Sequence, residues 1–223
     1  MTQTLDTGTR TRAHPGLVAA FAVFLVGMVM RAEFAFWHPS LDALTYADLA
    51  PIRAQWWAQH VFVGAPGSVL TFAAFAVLAY QIGRKVLAAA GGVLATVGAV
   101  AFGLGIAGEG VTYGYVLDPA AVPAPQGAAT VAYIADHGEL SQLLIFGGQI
   151  LTVLGVLVLL VAVWLARAVP RWLLALPLAG LALAQVLPLA PFTTGAVLLE
   201  LVFQAAPLVA IAALAVHPKN VRP

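Results

Sequence analysis

The segment Leu140–Ala166, LSQLLIFGGQILTVLGVLVLLVAVWLA, contains no charged residue from end to end. A helix needs about 20 largely apolar residues to cross the hydrocarbon core of a membrane, so this segment is predicted to span a bilayer. The whole chain agrees: 62% of its 223 residues are hydrophobic and 9% are charged. Soluble domains carry about 25% charged residues. Lipid is therefore the expected solvent and the first expected partner of this protein.

Five further segments have the length and apolar character of a membrane span. They are Gly16–Trp37, Trp56–Gly83, Val86–Gly108, Trp172–Leu189 and Thr194–Val216. Of these, 172–189 is short and contains Pro177 and Pro188, which membrane helices tolerate when neighbouring helices satisfy the freed carbonyl groups. The sequence thus predicts an all-α, six-helix transmembrane bundle over residues 16–216, flanked by tails 1–15 and 217–223.

The basic residues predict how this bundle is oriented. Alternate connections and both tails contain eight of the ten basic residues: Arg10, Arg12, Arg84, Lys85, Arg167, Arg171, Lys219 and Arg222. Short loops rich in Lys and Arg stay on the cytoplasmic side of a membrane. The chain is therefore predicted to be a multi-pass protein of the cell membrane with both termini in the cytoplasm. Its eight arginines and two lysines in an Ala-, Leu- and Val-rich background favour a bacterial source.

Two outer connections are long enough to have structure of their own. The first, 38–55, mixes Leu, Tyr and Trp with acidic residues and is predicted to form a short amphipathic surface helix. The second, 118–130, reads DPAAVPAPQGAAT, and its three prolines predict a semi-extended loop. Aromatic residues near the span ends, Trp56 among them, are interpreted as belts at the membrane surface.

Polar side chains gather toward the outer ends of the predicted spans, most densely in ADHGELSQ, residues 135–142. At about 100° per helical residue, His60 shares a face with Gly64, Gly67 and Thr71, so it is predicted to point into the bundle. Glu200 lies about two turns inside its span, where an unpaired charge is costly, so Arg31 is its expected partner, with protonation of Glu200 as the alternative. The candidate polar site consists of seven residues: Arg31, His60, Glu109, Glu139, Gln142, Glu200 and Gln204.

Several chemistries fit such a site, and the sequence leaves them open. Imidazole and carboxylate ligands suit zinc, manganese or iron, with His60, Glu109 and Glu200 as the candidate metal ligands. Haem bound by His60 and His137 is a second possibility, although helical spacing turns His137 away. A small ligand from the extracytoplasmic side is a third. The chain has no cysteine, which excludes iron–sulfur clusters and cysteine-ligated zinc. Its net charge of +1 gives no reason to expect nucleic acid.

Two further function classes remain as alternatives to a ligand-binding site. In one, the polar groups only satisfy each other in a structural or accessory membrane protein that meets a membrane-protein partner. In the other, the chain is a small proton-coupled transporter that forms a homodimer. Gly91, Gly98 and Gly105 recur every seven residues, and such small residues indicate close helix packing. Catalysis is left undecided, because neither H-E-x-x-H nor G-x-S-x-G occurs in the sequence.

Overall fold

In the computed structural model of the protein, every described element is helical. The structure describes residues 14–39, 45–186 and 193–217, with the backbone alone at 139–140, 181–182 and 184–186. The α-helices are α1 (Pro15–Trp37), α2 (Tyr46–Leu49), α3 (Arg53–Ala58), α4 (Ala65–Ile82), α5 (Lys85–Val116), α6 (Ala124–His137), α7 (Glu139–Gln142), α8 (Gly148–Leu165), α9 (Arg171–Val186), α10 (Thr194–Glu200) and α11 (Ala206–Val216). One 3₁₀ segment, Ala50–Ile52, and three π-helical segments, Gln59–Gly64, Leu143–Gly147 and Leu201–Ala205, join some of them without a break.

Five helical runs of the described chain are long and apolar enough to cross a membrane. They are Pro15–Trp37, Tyr46–Ile82, Lys85–Val116, Leu143–Leu165 and Thr194–Val216. Each covers most or all of one predicted span, although the third continues to Val116 instead of ending at Gly108. Of the segment predicted as 172–189, residues 172–186 belong to α9, which has 16 residues and contains Pro177, and residues 187–189 lie outside the described part of the chain. At 1.5 Å per residue, α9 is about 24 Å long, shorter than the ~30 Å hydrocarbon core.

The glycine stripe of α5 packs against α8. A Cβ atom added to Gly98 would lie 2.4 Å from the Thr152 nitrogen and 2.7 Å from the Gly148 oxygen. The same atom on Gly91 would lie 2.9 Å from the Gly155 oxygen. The two backbones therefore approach as closely as small residues allow, and the predicted packing role of the stripe is confirmed. Because this contact lies inside the monomer, these glycines do not provide a face for dimerisation.

Small residues also bring α1 and α4 together. A Cβ atom on Gly27 would lie 2.6 Å from the Thr71 nitrogen, and one on Gly67 would lie 2.8 Å from the Met30 Cβ. Gly64 packs in the same way against the ring of Phe34. The predicted common face of His60, Gly64, Gly67 and Thr71 is therefore confirmed, and it looks toward α1.

One apolar cluster fixes the end of the bundle where α1 begins and α4 ends. It contains Leu17 at the start of α1, Ile82 at the end of α4 and Ala88 at the start of α5, and it includes only Ala, Val, Leu, Ile and Phe among its buried residues. The start of α9 and the end of α11 join it through Leu173 and Ala215. Arg84 closes this end, since its backbone N–H donates to the Ala162 carbonyl at 3.0 Å. We call this region the inner end.

The opposite, outer end is covered by the connections. Residues Tyr46–Ala58 are helical as expected, but they lead directly into the second spanning run instead of lying as a separate surface helix. The loop predicted for 118–130 is wrong from residue 124 onward: α6 starts at Ala124, with Pro123 as its N-cap. Proline is compatible with a first helical turn, because the N–H groups there have no intrahelical partner. Arg53 and Asp118 tie the two connections together through an ion pair of 2.5 Å.

Candidate functional site

The first and last spanning helices are joined by an ion pair in the outer half of the bundle. Nη2 of Arg31 donates to Oε1 of Glu200 at 2.6 Å. Arg31 lies six residues before the end of α1, and Glu200 lies six residues after the start of α10, so each is about 9 Å from its helix end. The guanidinium also lies over the ring of Phe72, 4.7 Å from its centroid. The expected pairing of these two residues is confirmed.

A cavity opens beside this pair. Its described lining consists of Arg31, Phe72, Thr152, Val153, Val156, Leu157, Leu160, Pro177, Glu200, Gln204, Ala205 and Leu208. It offers about 50 Å³ to the centres of water-sized molecules. Since one water needs ~10–15 Å³ of such space, about three to five water-sized groups fit. Charged and amide groups thus meet a largely apolar wall built from four of the five spanning runs and from α9.

The predicted amide Gln204 belongs to this cavity, and its place depends on local helix geometry. Glu200 ends α10, and Gln204 follows in the π-helical segment Leu201–Ala205. A π-helical turn holds one residue more than an α-helical turn, which rotates the following side chains relative to a regular helix. Both residues still line the same cavity. The hydroxyl of Thr152, which also lines it, donates to the Gly148 carbonyl at 2.8 Å.

His60 belongs to a different, tightly packed group nearer the outer end. It is 1% exposed and stacks on Trp56 with ring centroids 4.2 Å apart. The rings of Phe34, Trp37 and His38 surround it at 5.1, 6.1 and 5.3 Å. We refer to these five residues as the aromatic–histidine cluster. The predicted inward orientation of His60 is confirmed, whereas the interpretation of Trp56 as a surface belt residue is wrong, because Trp56 is fully buried.

The hydrogen bonds of the two clustered histidines fix which ring nitrogen donates. Nδ1 of His60 lies 2.8 Å from the Trp56 carbonyl, and Nδ1 of His38 lies 2.7 Å from the Pro39 carbonyl. A carbonyl oxygen only accepts, so Nδ1 is the donor in both rings. His38, which lies just beyond the first span, also has its pKa lowered by burial, against a smaller opposite effect of its bond to Pro39. Burial therefore favours the neutral form of His38 within the packing.

His38 was not among the predicted site residues, although the sequence contains a signal for it. An aromatic residue precedes each of three histidines by four positions: Phe34 before His38, Trp56 before His60 and Tyr133 before His137. Residues four apart lie on one helix face, and in all three pairs the rings contact each other. His137 stacks on Tyr133 and is exposed, so His38, and not His137, is the histidine next to His60.

The predicted metal set is not assembled. Within 14–39, 45–186 and 193–217, no group of three or more His, Asp or Glu side chains is placed to hold a metal ion. Glu200 bonds Arg31, so one of the three predicted ligands already has a charged partner, while His60 donates from Nδ1 to the Trp56 carbonyl. Glu109, the third, is half-buried on α5 one residue before Gly110, which packs against the His60 Cβ. Among the described residues, the structure therefore does not bring His60, Glu109 and Glu200 together in one metal site.

The remaining two candidates lie at the start of the fourth spanning run. Gln142 ends α7 and is exposed, outside the cavity lining. The side chain of Glu139 lies outside the described part of the structure. No protein-family model, curated protein or solved structure matches the chain. The site is thus defined by geometry alone, with Arg31, Glu200 and Gln204 at one cavity and His60 in the aromatic–histidine cluster.

Proposed function

We propose that the protein is an integral membrane protein of six spans that binds a small ligand in the outer half of its helix bundle. The ligand occupies the cavity beside Arg31 and Glu200. The single observation that carries this proposal is the combination of an ion pair and an amide with apolar walls in one concave site. Ligand sites in proteins have this composition, with a few polar groups that orient the ligand and apolar surface that holds it.

The sixth span of this proposal is α9 with the residues that follow it. Leu173 near the start of α9 packs in the inner-end cluster, together with Ala215 of α11. Gly180, further along α9, faces Phe203, with its added Cβ 2.5 Å from the Phe203 Cβ. The chain therefore runs from the inner end toward the outer end through α9 before it returns through α10 and α11. Six crossings place both termini on one side.

The basic residues support a cytoplasmic location for that side. Arg84, Lys85, Arg167 and Arg171 all belong to connections at the inner end. Arg84 donates from Nε to the Leu165 carbonyl at 3.3 Å, which brings two of these basic connections into contact. Positively charged loops remain in the cytoplasm. We therefore propose cytoplasmic termini, a cell-membrane location and a cavity whose ion pair lies in the extracytoplasmic half.

Binding is better supported than transport. A route through the membrane needs polar groups along its length. The buried polar side chains of the described residues are His38, His60, Ser68, Thr71 and Thr152, and none lies among the residues of α1, α4, α5, α9 and α11 that form the inner end. A purely structural role for the polar groups would require only the ion pair and would not account for a cavity beside it. The cavity extends well beyond the ion pair, to Val153, Val156 and Leu160 of α8.

A cavity-filling variant tests the proposal. The protein in lipid nanodiscs is titrated with three amphiphiles of equal chain length, an acid, an alcohol and an amine, each with a dansyl group at the tail. Energy transfer from tryptophan to dansyl reports binding. We expect saturable binding of at least one probe, its loss in Val156→Trp, and its retention in Val161→Trp, because Val161 is an exposed residue of the same helix. Absence of saturable binding by all three probes would refute the proposed function.

A further inference from the structure

The dimensions of the cavity limit what part of a ligand it holds. Space for about three to five water-sized groups is enough for a small head group and the first carbons of a chain, and too little for a whole lipid. The ion pair is also reachable from outside the bundle, since 25% of the Arg31 side chain and 39% of the Glu200 side chain are exposed. At about 9 Å below the helix end, that opening faces lipid chains. A ligand that fits is therefore one whose head group and first carbons enter the cavity and whose remaining chain stays outside it.

The wall of the cavity agrees with an amphiphile of this kind. Val153, Val156, Leu157 and Leu160 follow one face of α8, and Leu208 and Phe72 add apolar surface from two other helices. These residues provide apolar surface next to the charged pair. A polar solute without a hydrocarbon part would leave that surface in contact with water. A single alkyl chain would cover it and gain free energy from the burial.

The two charges of the pair are held differently. The guanidinium of Arg31 is fixed from two sides, by the Glu200 carboxylate and by the face of the Phe72 ring. Glu200 is the more exposed partner, and its carboxylate is bound only by Arg31 among the described residues. An arginine has five N–H donors in a planar fork, and the one hydrogen bond described for Arg31 uses Nη2. A second carboxylate therefore finds donors on Arg31 that are not engaged by Glu200.

From these three observations we propose that the cavity binds the head group of a single-chain amphiphile that carries a carboxylate. The carboxylate of this ligand binds Arg31 through donors that Glu200 leaves open. One guanidinium charge balances only one carboxylate among lipid chains, so the ligand competes with Glu200 for Arg31, while its chain lies along α8 and extends into the lipid. In the absence of ligand, the Glu200 carboxylate is the partner of Arg31 that the ligand carboxylate replaces. This inference rests on the proposed function, and it specifies the chemical class of the ligand.

The test compares substitutions of Arg31 and Glu200, which should change the affinity for the acid in opposite directions. With the same three probes in nanodiscs, we expect the acid to bind at least about tenfold more tightly than the alcohol and the amine. This ratio of affinities is the contribution expected from one charge-assisted hydrogen bond. Arg31→Gln should remove this preference. Glu200→Gln should tighten acid binding by about tenfold, because it removes the competitor. Arg53→Gln and Asp118→Asn, which alter the surface ion pair, should change neither affinity.

The possible results separate the inference from the proposed function. If Arg31→Gln and Glu200→Gln weaken acid binding equally, the pair only shapes the cavity and the inference is wrong. If the amine binds best and Arg31→Gln tightens it, Glu200 is the binding charge and the inference is also wrong. In both cases a binding cavity remains. Should Arg31→Gln fail to fold, Arg31→Lys retains the charge without the planar fork, and we expect weaker acid binding with the same probe order.

Discussion

Arg31 on the first spanning helix and Glu200 on the last form a 2.6 Å ion pair across 169 residues of sequence. Neither side chain has water as a ready partner at its depth, so each charge depends on the other to be tolerated among lipid chains. The pair therefore links the two ends of the chain in the outer half of the bundle. It contributes both to folding and to the chemistry of the cavity.

The two charges should be strongly coupled in a double-mutant cycle. We expect Arg31→Met and Glu200→Gln each to lower the free energy of unfolding, and the pair to show a coupling energy of about 1–2 kcal/mol. The cost of each single change arises because one charge loses its partner. Unfolding of the purified protein in mixed detergent micelles measures these values. The Arg53–Asp118 pair at the surface provides the comparison, where a coupling below about 1 kcal/mol is expected. Additive effects of the Arg31 and Glu200 changes would contradict the pairing.

A methyl group at Gly98 should be far more disruptive than one at Gly108 of the same helix. The added Cβ of Gly98 would lie 2.4 Å from a backbone nitrogen of α8, whereas that of Gly108 meets nothing within 4 Å. We expect Gly98→Ala to destabilise the protein by about 1–3 kcal/mol through overpacking. Gly108→Ala should be neutral or stabilising by up to about 1 kcal/mol, because alanine favours the helix. Thermal unfolding of both variants in detergent measures the difference, and equal midpoints would rule out the α5–α8 contact.

Hydropathy and charge predicted the helical membrane character, and the cost of a lone charge in lipid predicted the Arg31–Glu200 pair. The inward face of His60 was predicted as well, but its contacts with Trp37 and His38 are made to another helix, and spacing within one helix does not predict them. A regular helix turns 100° per residue, but Gln59–Gly64, Leu143–Gly147 and Leu201–Ala205 are π-helical and shift the faces that follow them. Local composition does not indicate where such a segment forms. The loop predicted for 118–130 is wrong for another reason: its prolines indicate a break in helical structure, although Pro123 and Pro125 lie at the start of α6, where proline is accepted.

Cysteine labelling should place the two basic connections and the C-terminal end on one side of the membrane. The natural chain has no cysteine, so each introduced thiol is the single reporter. We expect Arg84→Cys, Arg171→Cys and His217→Cys to react with an impermeant maleimide only after cell lysis. Ala120→Cys, an exposed residue in the outer connection before α6, should react in intact cells. If His217→Cys reacted in intact cells while Arg171→Cys did not, the chain would cross the membrane an odd number of times between them. That result would refute α9 as the sixth span.

Acidification should weaken the fold through His38. Burial lowers the pKa of this histidine in the folded protein below its ordinary value of 6.5, so the unfolded chain binds the proton first as the pH falls. The stabilising contribution of neutral His38 is complete above about pH 6.5 and is lost as the pH falls from there toward the folded-state pKa. Asp118, whose pKa is lowered by the Ala120 amide and by Arg53, contributes to pH dependence only below 3.8.

We therefore expect the thermal midpoint of the wild-type protein to fall between pH 7 and pH 5, by about 2–4 °C for each 1 kcal/mol lost. His38→Gln should lower the midpoint at pH 7, because the aromatic–histidine cluster loses a packed ring, and should flatten the fall toward pH 5. His137→Gln changes an exposed ring stacked on Tyr133 and serves as the matched control. A pH profile of His38→Gln that runs parallel to that of the wild type would show that the buried imidazole is not the group that titrates.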